Sequence, residues 1–378
     1  MWYLNVSYIL ALCGLVLVLL ALMRVTSGSV NAWVRKLLLL VFGVGFLYAY
    51  DPALLGFYLG YIAVNYLFTL AILSVPRGKK TTFIASIVFN VGVLTTFRLA
   101  HELNLLLTVG LIYNLLKAID AQYYAYYVER RVAVLHFLLY MLFIPTFTSG
   151  PILKLKDFDD DLGKAYKPDA ARVEVSTKRI IEGLFKKIVL VALLWPLYNF
   201  LLAKDLNIGW STLVLLTYYI LLYFDFSGYS DIAIGFGTLL GFRIPENFKK
   251  PFSSPTFTVF WRNWHASLGD WFRDHVFLVL SRRNMSRMVA GGVSLLIMIG
   301  VGLWHGFDWL FLGWGLYHGV LLLLENLLNL TTVNKRKAHP AYYWSRALVT
   351  NAGVAFGTIY FSKDLATAGR ILHGFTHW

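Results

Sequence analysis

The chain has 378 residues, of which 58% are hydrophobic, 17% aromatic and only 14% charged, with a mean hydropathy of +0.63. An ordinary soluble domain carries about 25% charged residues, so this composition excludes a water-soluble globular protein. The 34 Lys and Arg outweigh 20 Asp and Glu, for a net charge of +14. In a membrane protein such an excess belongs to cytoplasmic loops, and no basic-aromatic motif points to nucleic acid. The lone cysteine, Cys13, excludes an intrachain disulfide and a Cys-based zinc site.

Apolar segments recur near 7–23, 37–50, 52–75, 82–98, 103–118, 134–150, 188–203, 210–224, 229–242, 288–304, 307–330 and 341–361. With roughly 17–25 residues per crossing, they predict an all-α, polytopic protein of about ten or more transmembrane or re-entrant helices, forming one membrane-embedded unit over 1–378. The first segment follows no basic region and reads as a retained span rather than a signal peptide. Those at 103–118, 134–150 and 229–242 are short or interrupted by Gly and Pro. Broken helices survive in a bilayer only where protein or a water-filled cavity covers their backbone, so these three mark a working site.

Basic residues set the topology. Arg24, Arg35 and Lys36, then Arg77, Lys79 and Lys80, then Arg130 and Arg131 assign their loops to the cytoplasm. Lys335, Arg336 and Lys337 and the eight Lys or Arg of 243–287 fall on the same side. Simple alternation fails between 103 and 180, where one segment is expected to be re-entrant. The polar stretch 154–179 holds Asp157, Asp159, Asp160 and Asp161 among Lys154, Lys156, Lys164 and Lys167. It lacks the Gly and Glu of a calcium loop and is expected to be a solvated connection. No internal repeat of the transporter kind is present.

Three passages carry candidate chemistry. In 257–280, Phe257, Phe260, Trp261, Trp264, Leu268, Trp271, Phe272 and Val276 form one helical stripe, with Arg262, Asn263, Asp270, Arg273 and Asp274 off it. That pattern suits a helix lying in the interface, or a bent helix under a bundle. His265 projects from its apolar side, as a satisfied core histidine or as a site residue. In GLWHGFDW, 302–309, His305 interrupts two apolar runs. Intramembrane ionisable residues are usually functional, and neutral imidazole is a general base near neutral pH; the alternative is a histidine bonded to a carbonyl in a kink. His318 on the next helix reads as structural. In 223–252, Asp225 and Asp231 flank Ser227, Gly228, Tyr229 and Ser230. Buried carboxylates need partners, so they orient an imidazole, bind an ion, or pair with Arg243 or another base. Gly235, Gly237 and Gly241 form no nucleotide fingerprint and suit close helix packing. The chain has no P-loop, HExxH, nucleophile elbow or catalytic Cys context.

The passages LLLLVFGVGFLYAYDPALL, IPTFTSGPI, YFDFSGYSDIAIGFG, RIPENFKKPF, FWRNWHASLGDWFRDHVF and GLWHG occur in this order across residues 37–318. Together they resemble the membrane-bound O-acyltransferase family, in its bacterial branch of alginate O-acetyltransferase and teichoic-acid D-alanyltransferase. The resemblance implies a multi-pass helical fold around a central tunnel, in which an intramembrane histidine catalyses acyl transfer from a thioester to a hydroxyl. By position the catalytic histidine falls on His305 and the second motif histidine on His265. Trp304, Asp225 and Asp231 are supporting candidates. Lys249, Lys250, Arg262, Arg273, Arg282 and Arg283 are expected around a cytoplasmic donor entrance. No metal and no tightly bound cofactor is implied; the donor is acetyl-CoA or an acyl group on the phosphopantetheine of an acidic carrier protein. Implied partners are that carrier on the cytoplasmic side, an extracytoplasmic transferase or glycopolymer acceptor, and membrane lipid, in the cytoplasmic (inner) membrane. FLYAYDPALL, YSDIAIGFG and PENF look like the acetyltransferases, whereas PTFTSGPI and the shorter length look like the D-alanyl enzymes. SRRNMSR replaces the GGNR-like run of the former. The competing class is an ion-coupled transporter or flippase with buried His and Asp as coupling groups.

Overall fold

A computed structural model describes residues 6–25, 28–100, 110–166, 169–280 and 285–377. The regular structure among them is helical: α1 (Val6–Val25), α2 (Gly28–Tyr50), α3 (Pro52–Ser74), α4 (Lys79–Leu99), α5 (Ile112–Tyr123), α6 (Val134–Met141), α7 (Leu155–Gly163), α8 (Ala170–Phe185), α9 (Val191–Leu202), α10 (Ile208–Leu239), α11 (Phe257–Asn263), α12 (Ala266–Phe272), α13 (Arg287–His305), α14 (Trp309–Leu327), α15 (Pro340–Gly357) and α16 (Leu365–Gly374). Six stretches among the described residues are long and apolar enough to cross a membrane: Ser29–Tyr50, Pro52–Ser74, Pro76–Leu99, Ile208–Leu239, Arg287–His305 and Trp309–Leu327. The chain packs as two compact units, one of residues 1–182 and 229–245, the other of 183–228 and 246–378.

In the first unit α1 to α5 pack in succession, each on the next. Asp51 caps α3 by accepting from the Ala53 amide at 2.8 Å, with Pro52 at the first helical position. The expected segment 103–118 lies partly outside the described residues; its remainder opens α5, which buries Asn114, Lys117, Asp120 and Gln122 along with its apolar side chains. Asn114, Lys117 and Asp120 meet the broken segment predicted at 134–150, and Gln122 bonds to Asn65 on α3. After eight residues α6 gives way to irregular, buried chain. Asn114 Nδ2 donates to the Phe147 carbonyl at 3.2 Å, Lys117 Nζ to the Met141 carbonyl at 3.3 Å, and the Leu155 amide donates to Asp120 at 2.6 Å. Protein thus supplies the partners that lipid cannot.

The acidic stretch departs from expectation. It forms α7, with Asp159 and Asp161 buried, rather than a solvated connection. Asp161 accepts from the Arg243 backbone amide and Nε, both at 2.9 Å, and Arg35 donates to the Asp161 carbonyl at 3.1 Å. Asp159 meets His136 Nδ1 at 2.6 Å, and the other nitrogen of that ring lies 2.8 Å from Lys36 Nζ. Each buried charge has a partner, so a short polar helix is stable in an apolar unit.

A second departure is α10. Segments 210–224 and 229–242 are not separate: one helix of 32 residues runs through Ser227 and Gly228. The two carboxylates along it are neutralised, Asp225 by Lys187 and Asp231 by Arg179. Gly228 and Gly235 admit close neighbours, as read from sequence. A Cβ on Gly228 would meet the Gly183 carbonyl at 2.9 Å, and one on Gly235 the Ile180 side chain at 2.5 Å.

In the second unit, α13 and α14 form a tight hairpin faced with glycine. A Cβ on Gly315 would meet the Met298 carbonyl at 2.6 Å, and one on Gly319 the Leu295 side chain at 2.5 Å. Small residues let the two backbones approach. Asp308 caps α14 by accepting from the Leu310 and Phe311 amides at 2.8 and 3.1 Å. This cap turns the chain within three residues after His305, so the GLWHGFDW passage is the bend of a hairpin.

Candidate active site

The stripe at 257–280 is bent, and the bend is at His265. Helix α11 stops at Asn263, and α12 begins at Ala266. Between them His265 adopts φ 47° and ψ 44°, a left-handed conformation that costs a residue with a side chain of order 1–3 kcal/mol and persists only where its surroundings fix it. The RIPENFKKPF passage provides the fixing. Phe248 and Trp264 pair as an antiparallel bridge, the Lys249 amide donates to the Asn263 carbonyl at 2.9 Å, and the Ala266 amide donates to the Asn247 carbonyl at 2.9 Å. The Asn247 side chain, fully buried, also accepts from Ser267 Oγ at 2.6 Å.

The other end of α11 is held by Glu325. Its carboxylate, on α14, accepts from the Phe257 amide, the Thr258 amide and Thr258 Oγ1, each at 2.8 Å. Thr256 Oγ1 accepts from the Val259 amide at 3.0 Å as the helix cap. Sequence reasoning missed Asn247, Ser267 and Glu325. Glu325 had a signal, a carboxylate in an apolar run, whereas Asn247 had only its place in a motif.

The two motif histidines come together. His265 is 6% exposed and sits edge-on to Phe226 at 4.5 Å between ring centroids and to Trp304 at 6.2 Å. Burial first, and the neighbouring His305 second, push the His265 ring down to about 3, which keeps it neutral at physiological pH. His305, the last residue of α13, is partly buried among Trp304 at 4.9 Å, Trp314 at 5.4 Å, Phe361 at 5.6 Å and Phe311 at 6.0 Å. Trp304 therefore contacts both imidazoles. The arrangement is an imidazole in an apolar aromatic wall with a second, neutral imidazole beside it. A neutral imidazole can act as a general base, and an apolar wall restricts water around it.

The other candidates fall into two groups. Asp225 and Asp231 are committed to Lys187 and Arg179, so each serves a base rather than an imidazole. Neither pairs with Arg243, which belongs to Asp161. Of the basic residues, Lys249, Lys250, Arg262 and Arg273 are all exposed. Arg273 is held by Asp270 at 2.6 Å and Asp274 at 2.9 Å, and Lys249 lies 4.0 Å from Asp270. Arg282 and Arg283 lie outside the described residues.

Comparison with known proteins gives the setting of this site. Residues 125–361 match the profile described as MBOAT, membrane-bound O-acyltransferase family. A probable alginate O-acetylase of Azotobacter vinelandii is 36% identical over 200 residues, 53% of this chain and 40% of that protein. The teichoic acid D-alanyltransferase of Streptococcus thermophilus is 35% identical over 252 residues, 60% of each chain. A peptidoglycan O-acetyltransferase of Helicobacter pylori is 29% identical over 253 residues, 63% of this chain and 46% of that protein. The chain thus spans about half the length of the curated relatives it matches. The family match takes in more than half of the chain and encloses both histidines, Asn247 and Glu325; this chain belongs to the membrane-bound O-acyltransferase family.

Proposed function

We propose that this chain moves an acyl group from a cytoplasmic thioester to a hydroxyl of an extracytoplasmic cell-envelope polysaccharide or glycopolymer, as a multi-pass protein of the cytoplasmic membrane. The observation that carries the reading is the His305 ring, set beside a neutral His265 in an aromatic wall. His305 takes the proton of the acceptor hydroxyl as its oxygen attacks the acyl carbon, and returns it to the departing thiolate. The aromatic rings around it restrict water, which protects the thioester from hydrolysis. His265, Trp304 and the Asn247-braced turn hold the base in place. No covalent enzyme intermediate and no tightly bound cofactor is required.

Acetyl-CoA is the donor proposed first, and D-alanyl on the phosphopantetheine of an acidic carrier protein second. Identity to the two groups of relatives is alike, 36% and 35%, so the preference rests on FLYAYDPALL, YSDIAIGFG and PENF. Lys250 and Arg262 would draw either anionic donor to a cytoplasmic mouth, and a tunnel past His305 would carry the acyl group across. An extracytoplasmic transferase or the glycopolymer itself receives it.

The test is acyl transfer by the purified protein in proteoliposomes, with labelled acetyl-CoA or D-alanyl carrier protein on one side and oligosaccharide acceptor on the other. Transfer by the native protein and its loss in His305→Ala are the expected result. Equal transfer by both, or ion-coupled solute movement with no acyl transfer, would replace this reading with another.

A further inference from the structure

His318 lies one helical turn after Trp314 on α14 and is 1% exposed. Its ring is enclosed by Trp261 at 4.9 Å, Trp314 at 5.0 Å and Tyr317 at 5.0 Å. A Cβ on Gly357 would come within 2.5 Å of His318 Nε2, so only glycine leaves that edge of the ring its room. A buried histidine read as structural should be hydrogen-bonded. This one is not: His318 Nδ1 has no partner, and neither has Trp261 Nε1, the nitrogen of the indole packed against it. The neighbouring Tyr317 hydroxyl donates to the Gly353 carbonyl at 2.8 Å and makes no hydrogen bond to His318 Nδ1.

We propose that His318 and Trp261 form a hydrogen-bonding subsite for the carbonyl oxygen of the transferred acyl group, beside the His305 base. The inference rests on the acyl-transfer reading and names the groups that would stabilise its transition state. Trp261 Nε1–H is a donor only, and neutral imidazole with its proton on Nδ1 supplies a second. Trp314 packs on both His305 and His318, at 5.4 and 5.0 Å, so the two imidazole centroids are at most about 10 Å apart. A tetrahedral centre needs such a span. Its attacking oxygen sits about 3 Å from the base and its oxyanion about 3 Å from the donors.

In the step itself, the acceptor O–H gives its proton to His305 while its oxygen bonds to the acyl carbon, and the carbonyl electron pair moves onto oxygen. That oxyanion accepts from Trp261 and His318. The pair then reforms the carbonyl, the C–S bond breaks, and the proton on His305 goes to the thiolate. Preorganised neutral donors are suited to a charge that exists only in the transition state.

The experiment uses the full chain in proteoliposomes and three variants: His318→Ala, His318→Gln and Trp261→Phe. A drop in kcat on the order of 10²–10³-fold is expected in His318→Ala, with donor KM within about threefold and the pH profile in place. His318→Gln, which keeps an N–H donor, should recover part of the rate, and Trp261→Phe should lose less than His318→Ala. A second readout is the infrared carbonyl band of a ¹³C-labelled ketone analogue of acetyl-CoA, in which CH₂ replaces sulfur. Bound to the native protein it should lie at lower frequency than when bound to His318→Ala. Normal kcat in His318→Ala, an unshifted carbonyl band, or equal losses in both His318 variants that track a fall in melting temperature would overturn the subsite while acyl transfer stands. If the native protein neither transfers an acyl group nor binds the analogue, both readings fall together.

Discussion

In the first unit Asp161 accepts from Arg243 and Lys164, and Asp159 meets His136 and Arg130. In the second, His265 and His318 each bury a ring nitrogen that no protein group meets, within a wall of Trp and Phe side chains. The charged groups are closed on one another and hold chain segments together. The neutral rings are left open, and an open polar atom in a tight apolar setting is where a substrate group gains most. The partnered carboxylates, and the buried His275 whose Nδ1 lies 2.8 Å from the Trp271 carbonyl, serve architecture, whereas the proposed chemistry is placed at the rings with an unmet nitrogen and at their neighbour His305.

The largest expected effect is at His305. His305→Ala should lower acyl transfer by roughly 10²–10⁴-fold at unchanged thermal stability, measured as labelled acyl incorporated into acceptor at equal protein. Retained transfer would remove the base and leave the second unit as inert as the first. His265→Ala should cost less, and by different factors for different donors, because His265 acts through placement. With its folded-state pKa depressed to about 3, His265 stays neutral where activity is measured, so the acid limb of the pH–rate profile should be the same in His265→Gln as in the native protein. Its effect on folding has the sign of a buried neutral base: the contribution to stability is complete above the unfolded value near 6.5 and is lost as pH falls toward 3. A shifted acid limb in His265→Gln would make the pair share its proton.

Much of this was legible before any coordinates. Composition gave the membrane class, motif order gave the family resemblance, and His305, His265 and Trp304 meet as their motifs suggested. What sequence could not show has physical reasons. Periodicity left an interfacial helix and a bent helix both open, because it does not report a left-handed residue; the bend at His265, fixed by Asn247, decides for the second. Segment length and glycine content do not report helix continuity, so 210–224 and 229–242 were read as two segments where α10 is one, and polarity does not report a partner, so the acidic run of α7 suggested solvent although Arg243, Lys164 and His136 meet it. The break at 134–150 was legible from its Gly and Pro, but that Asn114, Lys117 and Asp120 cover it was not, because sequence does not show which helix packs on it.

A smaller effect belongs to the closed charges of the first unit. Burial alone would raise the Asp161 carboxyl, but hydrogen bonds from the Arg243 side chain and backbone and from Lys164 hold it below the usual carboxylate range. Because the Arg243 side chain is 70% exposed, solvent screens the pair, and Asp161→Asn should cost only about 1–2 kcal/mol in reversible unfolding in detergent. The depressed pKa fixes the pH window. The native advantage over Asp161→Asn should be complete above the unfolded value of about 3.8 and shrink as pH falls through the lower folded value. Acyl-transfer kcat per folded molecule should not change; a fall in kcat without a fall in stability would give the first unit a part in the chemistry.

The smallest effect separates free from neutralised charge within the second unit itself. All four of Lys249, Lys250, Arg262 and Arg273 are exposed, but Lys249 and Arg273 share Asp270. An anionic donor is steered by net field, to which a cation already paired with a carboxylate adds little. Reversing Lys250 and Arg262 together to Glu should therefore raise the apparent donor KM roughly threefold to tenfold at low ionic strength, and flatten its dependence on salt, with little change in kcat. Reversing Lys249 and Arg273 removes two partners from Asp270 and sets like charges beside it. Its main consequence should be a lower melting temperature, with a smaller rise in KM. The comparison is made by measuring KM at several salt concentrations for both double variants. Equal KM effects would mean that the ion pairs around Asp270 open when donor arrives; no effect from either pair would mean that the donor reaches His305 over another face of the protein.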